Sequence, residues 1–141
     1  MYAFILAVFA AICWGIAPAF GKVGLRGIYT IDGLAARTVL TVILVGLLFI
    51  QSGGLQRISS IPATNWLYLS IEAFFATFAG DLAYYAAIKW GSIGKVALVL
   101  AGSPFITIII GRICFGETFT LIQSIGAVFV IIGVVLIGHT I

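Results

Sequence analysis

Charge is what this chain has least of. Seven Lys and Arg and four Asp and Glu are spread through 141 residues, 8% of the total, where a soluble domain carries about a quarter. With 63% of residues hydrophobic and a mean hydropathy of +1.30, the remainder cannot clothe a water-facing surface. A soluble domain is excluded on those grounds. Nucleic-acid binding is excluded too, because a net charge of +3 scattered over turns makes no basic stripe. Cysteine and histidine are nearly missing. Cys13 and Cys114 lie in separate apolar runs, at depths that differ by roughly 10 Å or more at 1.5 Å per residue, too far for a disulfide. The one histidine, His139, is near the end and reads as solvated. Without a Cys/His cluster there is no metal or redox site, and no nucleophile–base spacing or phosphate loop is present. Neither an enzyme nor a cofactor is expected.

What the chain has instead is apolar runs of bilayer-crossing length. They fall at about 2–20, 31–50, 66–90, 95–114 and 121–138. The expectation is an all-α membrane protein with five transmembrane helices, forming a single domain over 1–141. The first run lacks a basic leading segment and has a long apolar core, so it reads as a retained helix rather than a signal peptide. Ala3, Ala7, Ala11, Gly15 and Ala19 recur every four residues, a stripe along which another helix can approach closely. Gly126 and Gly133 mark a second such seam. The stretch 51–65 is the longest polar connection, broken by Gly53-Gly54 and Pro62.

Five passes put the termini on opposite sides. Lys22, Arg26, Lys89 and Lys95 gather on the side of the C-terminus, against Arg57 and Arg112 on the other. The positive-inside rule then sets the N-terminus outside and the C-terminus in the cytoplasm.

Asp81 is the residue that most needs a reason. An ionised carboxylate at the centre of a membrane helix costs on the order of 2.5–3.5 kcal/mol on insertion scales, so it faces a bundle interior or a wet cavity. Counting from the helix ends puts Trp14, Arg37, Asp81 and Ser103 at similar depth, roughly 9–14 Å from the cytoplasmic side. On an α-helical wheel Phe74, Thr77, Phe78 and Tyr85 share the face of Asp81, and Tyr84 flanks it. Two readings stand: a substrate or proton pathway, or an Asp81–Arg37 pair that fixes helix register. Pro104, following Gly102-Ser103, interrupts the fourth run. Such interruptions expose backbone groups to substrate in transporters, and they also serve as packing kinks. Glu72, Arg112 and Glu117 are candidates for structural ion pairs, the first two at the opposite rim.

Taken in order, Trp14-Gly15, LAARTVLTVIL, AYYAAIKWGSIGKVALV and SPFITIIIGRICFGETFTLIQSIGAVFVIIGVVLIG resemble the EamA-type domains of the drug/metabolite transporter superfamily. The resemblance spans nearly the whole chain, and Gly116-Glu117 with the G-x6-G of the last run are its most specific parts. It implies one five-helix repeat where many members carry two in opposite orientation. The implied function is a half-size secondary transporter that moves an amino acid, a similar metabolite or a drug across the cell membrane. It would work as a homodimer or paired with a related half. The competing class is a membrane partner subunit that does not transport, or a lipid-carrier translocase.

Overall fold

The computed structural model describes residues 2–138; His139 and the C-terminal residues after it lie outside them. Helix α1 runs Tyr2–Gly24 and α2 runs Thr30–Gln51. A short α3, Gly54–Arg57, and a 3-10 turn, Ile58–Ser60, occupy the expected polar loop. Then follow α4 at Ala63–Ala73, a π-helical stretch at Phe74–Gly80 and α5 at Asp81–Trp90. The last three are α6 at Ile93–Leu100, α7 at Ser103–Phe115 and α8 at Leu121–Gly138. The described residues contain no strand.

Three helical stretches are long and apolar enough to cross a membrane: Tyr2–Gly24, Thr30–Gln51 and Ile93–Phe115. The stretch 63–90 is helical without a gap but carries Glu72, Asp81 and Lys89, and α8 is shorter. There are more helical elements than the five expected, because two runs are subdivided and the polar loop holds two short turns of helix. The π stretch divides one. In the other, Ala101 and Gly102 close α6 with amides to Ala97 and Val99, at 3.0 and 3.1 Å. Pro104 is therefore the second residue of a new helix, where its missing amide costs nothing. It does not kink a continuous one. Pro18 does lie within α1, which continues past it to Gly24, a few residues beyond the expected end of the first run.

The contacts divide the chain into two units, Ile16–Trp90 and the remainder. In the first, α2 packs on α5. Its buried apolar side chains include Leu25, Leu34 and Ile88, with Pro18 of α1. Leu25 fills the space where Gly33 has no Cβ, and Ile88 Cδ1 would stand 3.2 Å from a Cβ on Gly21. Gly27 turns the chain between α1 and α2 at φ +74°, a conformation open to glycine. In the second unit α8 packs on α6 and α7. Its first turn is held by a capping box: the Thr120 amide donates to Gln123 Oε1 at 2.8 Å, and the Gln123 amide to Thr120 Oγ1 at 3.3 Å. Most other large apolar side chains are exposed. That pattern suits a chain whose apolar surface meets lipid or a partner rather than water.

Candidate functional site

The face of α2 that meets α5 is written at helical spacing. Leu34, Arg37, Thr38 and Thr41 recur at i, i+3, i+4 and i+7, so they share one side. The two threonine hydroxyls are turned back onto the helix, donating to the carbonyls of Leu34 (2.8 Å) and Arg37 (3.0 Å). They offer little to a ligand, and Arg37 is left as the polar group projecting toward α5. On α5, Asp81, Tyr85 and Lys89 follow at i, i+4 and i+8.

These two faces meet in an ion pair. Arg37 Nη1 lies 2.5 Å from Asp81 Oδ2. The guanidinium carbon is also 5.7 Å from the centre of the Tyr85 ring, within cation–π range. Tyr84 and Tyr85 have ring centres 6.0 Å apart and tilted by 54°, so the pair is flanked by two phenols. The pair is not sealed: 45% of the Arg37 side chain and 21% of that of Asp81 stay accessible. Arg carries five N–H donors in a planar fork, Nη1 meets Asp81 Oδ2, and nearly half of the side chain stays accessible. The guanidinium can therefore hold Asp81 and still present donors to an incoming carboxylate.

Lys89, to which charge counting assigns only a topological role, completes this arrangement. Its Nζ donates to the Ile28 carbonyl at 2.7 Å and sits 5.6 Å from the Trp90 ring centre. It ties the end of α5 to the turn that leads into α2, which fixes the two helices whose faces form the pair. The i, i+4, i+8 spacing from Asp81 is the signal that could have found it.

Arg37, Asp81, Tyr84 and Tyr85 are thus brought together within one unit. Glu72 belongs to the same unit, on α4. Trp14, Ser103, Pro104, Arg112 and Glu117 belong to the other. Trp14 is exposed on α1, and Ser103 accepts from the Thr107 hydroxyl at 3.4 Å through its carbonyl. At the end of α7, Gly116 adopts φ +66°, and its amide and that of Glu117 both return to the Gly111 carbonyl. The Glu117 carboxylate folds onto the same place: a Cβ on Gly111 would lie 2.7 Å from Oε2. Gly-Glu is therefore a helix-ending turn whose acid leans back on the helix it ends. Both cysteines are free thiols.

The profile of the EamA-like transporter family matches residues 1–138. The chain belongs to that family. A Sinorhizobium protein described as an uncharacterized transporter in the cobO 3′ region is similar to this EamA-like chain, 31% identical over 137 residues. The match takes in 97% of this chain and 94% of that protein, so the relative is built on the same scale. No solved structure matches. Family membership makes this a multi-pass membrane protein of the drug/metabolite transporter superfamily, and its three long apolar helices agree with that.

Proposed function

We propose that the chain is a half-size secondary transporter for a small amphoteric metabolite, such as an amino acid, or a drug of similar charge. One observation carries the reading: the accessible Arg37–Asp81 pair beside Tyr84 and Tyr85. A zwitterion can dock on that pair without leaving a charge alone. Its carboxylate takes Arg37, its ammonium takes Asp81, and the neighbouring ring of Tyr85 faces the cation. Each charge keeps a counter-ion throughout, which matters where an unpaired ion is expensive. The transporter family and the transporter named in Sinorhizobium support the class.

In this reading the chain is a single EamA-like domain with five membrane passes, formed by α1, α2, the stretch 63–90, α6 with α7, and α8. Its N-terminus is outside and its C-terminus cytoplasmic. The working unit is a dimer, of two copies or of two related halves, because one repeat encloses little of a substrate. Glu72, Arg112 and Glu117 serve structure rather than transport, while Trp14, Ser103 and Pro104 belong to the pathway.

Reconstituted protein tests this directly. Asp81→Asn is nearly isosteric and should abolish uptake or exchange of amino acids while the protein still purifies monodisperse. The second reading, a partner subunit that does not transport, draws on the same pair, since Arg37 and Asp81 neutralise each other within one chain. It requires Asp81→Asn to lower expression and Arg37→Gln with Asp81→Asn to restore it. A double variant that expresses and transports like the parent would eliminate Asp81 as a transport residue.

A further inference from the structure

The stretch 63–90 changes its winding just before the acid. Phe74–Gly80 is a π helix, and the Asp81 amide donates to the Ala76 carbonyl five residues back. A π turn holds one residue more than an α turn and is rare enough to need a cause. Gly80 supplies one. A Cβ on Gly80 would stand 2.7 Å from the Phe75 carbonyl oxygen. The obstructing atom is backbone, so no side-chain rotation relieves it. One residue of helical register amounts to about 100° of rotation and 1.5 Å of rise. The same residues wound as plain α helix would carry Asp81 that far around the axis from its present relation to α4.

We infer that Gly80 is a positioning residue: by admitting the π turn at Phe74–Gly80 it aims Asp81 at Arg37. The consequence for transport rests on the reading of that pair as the substrate site; the consequence for the pair itself does not.

Two variants of the full chain test this, Gly80→Ala and deletion of Gly80. Substitution keeps the surplus residue but closes the π turn to it. Deletion removes the surplus residue, so 63–90 can wind as α helix with α4 and Asp81 still in register. Deletion should therefore be tolerated better than substitution, the reverse of the usual order. The pair is read without transport by treating membranes that carry an Arg37→Lys background with an apolar carbodiimide. The reagent activates the Asp81 carboxyl as an O-acylisourea. The amine introduced at position 37 attacks, an amide forms, and the dialkylurea leaves carrying one carboxyl oxygen. Mass spectrometry counts the cross-linked peptide, and uptake is measured in the Arg37 background.

Gly80→Ala should lower both cross-link yield and uptake about tenfold, a modest effect for one methyl forced into a filled space. Deletion of Gly80 should return most of each. Equal yields in the parent and Gly80→Ala, a deletion as poor as the substitution, or no cross-link in the parent would each overturn the inference. Cross-link yields that follow the expected order while uptake is the same in every variant would uphold the positioning role and sink the substrate-site reading.

Discussion

Arg37 carries two interactions at once, an ion pair with Asp81 and a cation–π contact with Tyr85, and they differ in what their loss should do. The Tyr85 contact at a partly exposed site is worth about 0.5–1 kcal/mol. Tyr85→Leu should therefore raise the KM for an amino acid a few-fold and leave the maximal rate nearly intact. Arg37→Lys is not the mild change it looks. A lysine offers a point charge in place of the planar fork that can hold two carboxylates, so substrate affinity should fall well beyond the effect of Tyr85→Leu. Uptake titrations on both variants check this, and equal KM values would contradict the double use of the guanidinium. Charge and depth, both legible in the sequence, are enough to mark Arg37 and Asp81 as partners. The wheel that groups Phe74, Thr77 and Phe78 with Asp81 assumes α winding, and the π turn between them breaks that register. Tyr85 keeps its place because it follows the acid within one α helix. No composition rule marks a π turn; a glycine just before a membrane acid is the trace it leaves.

At the scale of elements, the ends of α7 and α8 show how turn chemistry fixes helix length. Gly116 lies at φ +66°, where a side chain costs about 1–2 kcal/mol. Gly116→Ala should lower the thermal midpoint in detergent by several degrees, and Gly116→Asn should lower it less, since asparagine tolerates that conformation. Gly111→Ala makes a useful contrast. Its new methyl would meet the end of the Glu117 side chain, which can swing aside, so its effect should be smaller than that of Gly116→Ala. The opposite ranking would mean that the carboxylate, not the left-handed turn, holds this corner. The apolar runs of the sequence correspond to helices with ends displaced by a few residues. The larger departures come from backbone hydrogen bonding that hydropathy does not report: a short helix inside the polar loop, and a new start at Ser103 that makes a helix beginning of an expected kink.

For the whole molecule the open quantities are orientation and partnership, and both have direct tests. Reporters fused after Gln56 and after Ile141 should report opposite sides, the second cytoplasmic. Equal signals at both positions would mean that the bias of Lys22, Arg26, Lys89 and Lys95 does not set topology. Cβ atoms placed on Gly126 and Gly133 would have nothing within 4 Å among the described residues, which leaves room along that seam for a second chain. Gly133→Leu should convert a dimer to monomer in native mass spectra if that face is the dimer contact. A wild-type protein that is strictly monomeric in detergent and still transports would end the dimer reading.

The scarcity of enclosed side chains has a consequence for how this protein can be unfolded. Among the described residues the buried apolar side chains come to Leu25, Leu34 and Ile88, with Pro18 beside them. The sensitivity of an unfolding transition to urea or guanidinium grows with the surface newly uncovered, and here little is left to uncover. Titration with either agent should give a shallow slope for a chain of this length. Swapping the surrounding amphiphile for one of different tail length should move the midpoint far more, because for this polypeptide the lipid tails do the work that an interior does elsewhere.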